Sequence, residues 1–206
     1  MQESKSSKPR YPTLEDWLNA IPEEFRDASF ESSLFPPRTQ FGLNWAKAFP
    51  LKSMFIFGGY GTGKTTFAFS AIREAFVHVN QRFYFWPRYV TGRQLSTRLL
   101  KASKAFDGND EWEIETWSEV DLLFIDEIEK VEAHERFRSQ FFEIFNRRHA
   151  AKKPTIVTSN CEPKALGTIL DPAIISRMSD KTKWEMKSFG EIDLRMTKKE
   201  AYGNAL

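Results

Sequence analysis

The sequence predicts an α/β domain: a five-stranded parallel sheet between helices. Three observations carry that prediction. Short apolar runs alternate with longer segments of helical period along the chain. The run Met54-Phe55-Ile56-Phe57 opens directly into Gly58-Gly59-Tyr60-Gly61-Thr62-Gly63-Lys64-Thr65, and Thr66-Phe67-Ala68-Phe69 then begins a helix. A second run, Leu122-Leu123-Phe124-Ile125, ends on Asp126-Glu127.

The elements follow in order. Residues 1–13 are polar and proline-punctuated and read as a mobile tail. Leu14 to Leu18 predicts a short helical turn anchored by Trp17, and 21–30 shows no helical period longer than two turns. Phe41, Trp45 and Phe49 recur at i, i+4 and i+8, which predicts an amphipathic helix over 38–49. The helix after the loop covers 64–79, and Arg82-Phe83-Tyr84-Phe85-Trp86 is read as the second strand. A helix over 91–106 is followed by a looser acidic stretch, 107–119, and then by the acid-tipped strand. Phe137, Phe141 and Phe145 stripe the next helix, and Arg147, Arg148, His149, Lys152 and Lys153 close it with charge that suits its dipole. Pro154 to Asn160 is a strand, Leu170 to Met178 a short helix, and Lys183 to Met186 the last strand.

Composition bounds the function classes. At 206 residues and 24.0 kDa, one domain with a normal core is expected. With 30 basic and 28 acidic residues the chain is near charge balance, so any case for nucleic acid must come from local patches. Cys161 is the only cysteine, which excludes an intrachain disulfide and a cysteine-based zinc site. The N-terminus lacks the apolar core of a signal peptide, and no apolar run approaches the roughly 18–20 residues of a membrane span. These features predict a cytoplasmic protein with no membrane partner.

The loop matches G-x-x-x-x-G-K-[ST] at every fixed position, in the strand–loop–helix setting the pattern requires. Glycines let backbone N–H groups turn inward around phosphates, and the helix N-terminus adds a favourable dipole. Gly58, Gly59, Tyr60, Gly61, Thr62, Gly63, Lys64, Thr65 and Thr66 are therefore the expected ATP-binding residues. Lys64 would reach the β- and γ-phosphates, and the Thr65 hydroxyl would ligate magnesium together with Asp126. Glu127 is then placed to orient or deprotonate an attacking water. A kinase of small molecules would use the same loop, but the double acid favours transfer to water.

Three further positions have two readings each. Asn160, at the end of its strand, would sit beside the loop in a parallel sheet and contact both the γ-phosphate and the attacking water; otherwise it is a turn-forming asparagine. Arg177 could serve a neighbouring subunit's phosphate, since its planar charged fork suits transition-state oxygens; otherwise it is a surface ion-pairing residue. Arg195 offers the same choice.

In their combined order, Pro22-x-x-Phe25 with Ala28-Ser29-Phe30, the GGYGTGKTT loop, LLFIDEI, Thr155-Ile156-Val157-Thr158-Ser159-Asn160, Ile175-Ser176-Arg177-Met178 and Phe189-Gly190-x-x-Asp193-x-Arg195 carry a resemblance. Together they resemble the AAA+ ATPase domain shared by DnaC-type replicative helicase loaders and IstB-type transposition helper ATPases. The chain departs from that family's pattern in two expected ways: a flexible tail over 1–20 stands where loaders carry a helicase-gripping domain, which makes the chain either a trimmed form or one with a minimal docking peptide, and the lid subdomain is absent or minimal. The resemblance implies an ATPase domain over 21–196, followed by a C-terminal tail over 197–206. It implies Asn160 as first sensor, Arg177 as a finger supplied to the next subunit of a homo-oligomer, and Arg195 as a second-sensor-like contact with nucleotide. It further implies single-stranded DNA contacts along 90–106, where Arg93, Arg98, Lys101, Lys104 and Phe106 lie, and a replicative helicase as partner, or a transposase in the alternative. Basic residues beside an aromatic suit a sequence-tolerant single-strand groove; a solvated helix face is the other reading. An ATP-switched adaptor with little turnover is a third.

Overall fold

The structure, a computed structural model, describes residues 13–31, 36–80, 85–104 and 109–194. Thr13 caps helix α1 (Leu14–Asn19): its hydroxyl accepts from the Asp16 N–H at 3.1 Å, while the Asp16 carboxylate accepts from the Thr13 N–H at 2.7 Å. This reciprocal box stabilises a helix too short to hold on propensity alone. Trp17 then buries its ring against Phe69 and Phe76 of the long helix α3 (Lys64–Asn80). Helix α2 (Pro36–Lys47) keeps two of the three predicted stripe residues. Phe41 packs on Phe67 and Trp45 donates its indole N–H to Lys52 O at 2.8 Å, whereas Phe49 falls beyond the helix and is exposed.

The strands are β1 (Ser53–Phe57), β2 (Pro87–Thr91), β3 (Leu122–Asp126), β4 (Thr155–Ser159) and β5 (Trp184–Ser188), all parallel in the order β2-β3-β4-β1-β5. Side chains alternate across each strand and so build two cores. Met54, Ile56, Leu122, Phe124 and Ile156 face α2 and α3, while Phe55, Leu123, Ile125 and Val157 face the opposite layer. That layer holds α4 (Gly92–Lys104), α5 (Asn109–Glu119), α6 (Glu135–Ala150) and α7 (Pro172–Met178).

Three expectations need correction. The second strand runs over Pro87–Thr91; of the expected 82–86, Phe85 and Trp86 precede it without strand pairing, and 82–84 lie outside the described residues. A proline is tolerated as the first residue of an edge strand, and the Trp86 N–H is taken by Asp121 Oδ2 at 2.8 Å before pairing with β3 begins at Pro87↔Leu122. The stretch read as loose is helix α5, because Ile114 and Trp117 fall on one face and the Trp117 indole donates to Glu113 Oε2 one turn back at 2.8 Å. Arg148, read as a helix-end charge, is 2% exposed. Its guanidinium donates to Trp117 O, Ser118 O, Val120 O, Pro154 O and Thr155 Oγ1. It thus satisfies carbonyls left over at the end of α5 and ties α6 to the start of β4. Burial pulls its pKa down to about 9. Among the described residues no helix is long and apolar enough to cross a membrane.

Candidate functional site

A parallel sheet brings the C-terminal ends of its strands to one edge. With β1 between β4 and β5, and β4 between β1 and β3, the glycine loop after Phe57 is flanked by Ser159-Asn160 and lies near Asp126. The loop turns where an L side chain would be strained: Gly61 has φ +68°, and an added Cβ would run into the Asp193 carboxylate. Gly58, at φ +148°, lets the chain pass within van der Waals reach of Gly190. The segment after β5 straps this loop from outside. Gly59 N–H donates to Gly190 O at 2.8 Å and Leu194 N–H to Gly61 O at 3.0 Å, while Phe189 N–H meets Phe57 O at 2.7 Å. Arg38 holds the strap in turn, donating to Phe189 O at 2.9 Å with its guanidinium 4.1 Å above the Phe189 ring. Tyr60 stands out into solvent at the loop's tip, and the Thr62 hydroxyl closes the turn onto Gly59 O at 3.0 Å. Thr66 lies in the first turn of α3, its carbonyl accepting from Ser70 Oγ at 2.9 Å.

Lys64 folds back into its own loop. The residue is 6% exposed, and its ammonium donates to Gly58 O at 2.8 Å, Gly59 O at 2.6 Å and Asn160 Oδ1 at 2.8 Å. Burial lowers its pKa, and the charges of Glu129, Asp126, Glu127 and Glu191 pull the other way. The lysine that the sequence assigns to phosphates therefore rests on neutral carbonyl oxygens, which hold an ammonium more weakly than anionic oxygens do.

Thr65 and Asp126 meet as the spacing predicts, with the hydroxyl donating to Asp126 Oδ1 at 2.9 Å. Asp126 is 6% exposed, and burial raises its pKa against hydrogen bonds from Thr158 and Thr65 that lower it. A desolvated carboxylate beside a hydroxyl is an all-oxygen donor set, which suits a hard cation such as magnesium that keeps water and phosphate as its remaining ligands. The residues present fit that ion.

Glu127 adopts the left-handed conformation, φ 51° and ψ 55°, at the head of a 3₁₀ turn over Ile128–Lys130. Its N–H donates to Thr158 Oγ1 at 3.0 Å, and its carboxylate pairs with Lys130 Nζ at 2.7 Å. Three neighbours escaped the sequence reading. Thr158, fully buried, links the Glu127 N–H to the Asp126 carboxylate. Glu129 accepts from Asn160 Nδ2. Tyr89 packs between Phe69 and Phe124, and burial first, then the charge of Asp126, raises the pKa of its hydroxyl. The available signals were faint: a polar residue inside a buried strand, an acid three positions past Asp126, and an aromatic on the strand beside it.

Arg177 lies apart from this cluster on the α6–α7 face. Its guanidinium sits 5.6 Å from the Phe142 ring and reaches Ala173 O at 3.4 Å. On α4, Arg93, Lys101 and Lys104 are exposed and fall within about 80° of one another at helical pitch. Arg98 leaves that stripe, pairing with Glu113 at 3.5 Å and lying 5.2 Å over the Trp117 ring. Phe106 and Arg195 lie outside the described residues.

Similar proteins share this fold. DnaA from Aquifex aeolicus bound to AMPPCP superposes with a TM-score of 0.62 at 22% identity, over 88% of this chain and 50% of that one. A replication initiator DnaA bound to AMPPCP and single-stranded DNA gives 0.59 at 21% identity, over 95% and 56%. A DnaC helicase loader gives 0.68 at 16% identity, over 81% and 99%. This chain thus spans about half the length of the DnaA chains it matches. At these identities the likeness is one of fold, the AAA+ form of the phosphate-loop ATPase domain. The sequence match goes further: residues 43–184, from α2 to the first residue of β5, fit the model of the bacterial DnaA ATPase domain, and the chain belongs to that family.

Proposed function

We propose that this protein binds ATP with magnesium, hydrolyses it, and acts as an oligomer on single-stranded DNA to load a replicative helicase. The observation that carries the ATPase reading is the convergence of Lys64, Thr65, Asp126 and Asn160, from three separate strand ends, at the N-terminus of a 17-residue helix. Lys64 would exchange Gly58 O, Gly59 O and Asn160 Oδ1 for the β- and γ-phosphates. Thr65 and Asp126 would hold magnesium, which neutralises charge on the phosphate oxygens when bound. Glu127 would leave Lys130 and take a proton from the attacking water. The DNA and helicase parts of the reading draw on the neighbours described above, one of which holds single-stranded DNA and another of which is a helicase loader. The exposed stripe Arg93, Lys101 and Lys104 is the chemistry that would meet a phosphate backbone.

One observation favours a second reading, a nucleotide-switched adaptor with little turnover: the proposed base is engaged by Lys130. A single pair of variants separates the two. Lys64→Ala should lose ATP affinity by isothermal titration, because the phosphates lose their main compensating charge. Glu127→Gln should bind ATP while turnover falls roughly 10²-fold, the scale of a lost general base. Unchanged affinity in folded Lys64→Ala would overturn the site, and wild-type turnover in Glu127→Gln would overturn the role of Glu127.

A further inference from the structure

Beyond Asp126, two acids of the β3–α6 connection stand at the site, and they are engaged differently. Glu127 pairs with Lys130, whereas Glu129 accepts a hydrogen bond from Asn160 Nδ2 and keeps its second oxygen, Oε2, buried without a hydrogen-bond partner. The other end of the same amide, Asn160 Oδ1, accepts from Lys64 Nζ at 2.8 Å. A lysine ammonium can only donate and an ionised carboxylate can only accept. The run Lys64–Asn160–Glu129 therefore fixes which end of the amide faces the phosphate loop.

We propose that Glu129 is a positioning residue for ATP hydrolysis: by holding Asn160 Nδ2, it keeps the amide carbonyl turned toward the phosphates. This rests on the ATPase reading above and narrows it. When Lys64 moves to the phosphates, the space it leaves is faced by Oδ1, an acceptor. Phosphate oxygens are acceptors too and would need an Nδ2 proton, but the bond to Glu129 turns that nitrogen toward Glu129 and leaves Oδ1 facing the loop. Water has protons to give. Asn160 Oδ1 thus meets the attacking water rather than the γ-phosphate, and Glu129 sets that choice. The nucleophile's proton still passes to Glu127, so Glu129 gains and loses none.

The polarity of the contact gives the test. Steady-state ATPase kinetics would be measured for Glu129→Ala, Glu129→Gln, Asn160→Asp and the double variant Asn160→Asp with Glu129→Gln, each checked for folding by thermal melting. Glu129→Ala should lower kcat about 10-fold with KM within about twofold, since an orienting contact rather than ground-state binding is lost. Glu129→Gln, whose amide oxygen still accepts from Nδ2, should stay within about threefold of wild type. Asn160→Asp sets two carboxylates against each other and should be impaired. Adding Glu129→Gln supplies a donor and should recover at least about fivefold of the loss. Wild-type kcat in Glu129→Ala, equal losses in Glu129→Gln and Glu129→Ala, or no recovery in the double variant would overturn the assignment. A second arm needs no turnover: in nucleotide-free protein, the Asn160 side-chain amide protons seen by NMR should exchange faster in Glu129→Ala and at the wild-type rate in Glu129→Gln. A wild type without ATPase activity sinks the hydrolysis reading and the role in it. The amide geometry is then judged by exchange alone, and unchanged exchange in Glu129→Ala overturns it.

Discussion

Replacing Thr158 by valine removes one hydroxyl and almost nothing else, yet that hydroxyl serves two of the site's acids, Asp126 and Glu127. Glu127 N–H donates to it at 3.0 Å, and it donates to Asp126 Oδ1 in a residue with no exposed surface. A hydrogen bond to a charged group contributes about 1.5–3 kcal/mol, and a buried N–H left without an acceptor costs about 1–3 kcal/mol. Valine regains some apolar burial, so a net loss of about 3 kcal/mol is expected for Thr158→Val, a large share of the roughly 5–15 kcal/mol that holds a domain together. Thr158→Ser keeps the hydroxyl and deletes a methyl group, which costs about 1 kcal/mol. Urea unfolding of metal-free protein, followed by circular dichroism, would rank the two. Valine should be the worse substitution even though it is the better shape mimic. It should also depress turnover, because Glu127 sits at φ 51°, a conformation that a non-glycine residue keeps only when its surroundings impose it. If valine is within about 0.5 kcal/mol of wild type, or serine is worse than valine, packing rather than the hydroxyl organises these acids and the reasoning fails.

Asp126 gives a pH prediction. Burial raises its carboxyl above the ordinary 3.8, so in metal-free protein the stability this group contributes is present below that value and lost as pH rises through the raised folded value. Magnesium binds the ionised form, so the gain in Tm on adding magnesium should grow with pH through the same window and vanish in Asp126→Asn; a pH-independent gain in wild type would refute the assignment. On α4, Lys101→Glu combined with Lys104→Glu should weaken single-stranded DNA binding for every sequence and flatten its salt dependence in fluorescence anisotropy, and an unchanged slope would return this face to solvent. Arg177 packs on Phe142 in its own chain. If it serves a neighbour's phosphates, Arg177→Ala should bind ATP and lose turnover by about 10³-fold. Mixing it with Lys64→Ala should restore part of the activity at interfaces where an intact loop meets an intact arginine, and a co-assembled but inactive mixture would rule out action in trans.

How much of this was legible in the sequence depends on whether one stretch of chain supplies the feature. The loop, its strand and its helix are contiguous, so residues 54–80 carry their own evidence, and Thr65 meeting Asp126 follows from parallel strands sharing one edge. Propensity alone misplaces strand β2, because the aromatic run Phe83-Tyr84-Phe85-Trp86 outweighs Pro87. What fixes its position is a partner distant in the sequence, Asp121, which accepts from the Trp86 N–H. Arg148 misleads in the same way. Beside Arg147 and His149 it looks like one more helix-end cation, and only the packing of α5 and β4 around it makes it a buried tie.

Thr158 and Glu129 show why such supports are hard to read. A threonine in Thr155-Ile156-Val157-Thr158-Ser159 fits a β-branched strand as well as a functional hydroxyl does, and a glutamate in Glu127-Ile128-Glu129-Lys130 fits a solvated acidic turn. Each acquires a role only through a partner 31 residues away: the Glu127 N–H for Thr158, and Asn160 Nδ2 for Glu129. Periodicity reports which face a residue lies on but not which polar group it will meet across neighbouring strand ends. A phosphate loop can be recognised alone because its chemistry comes from backbone N–H groups and one lysine. The acids and the amide beside it take their orientation from groups on other strands. Changes at those supporting positions should therefore alter how fast the site works before they alter what it binds.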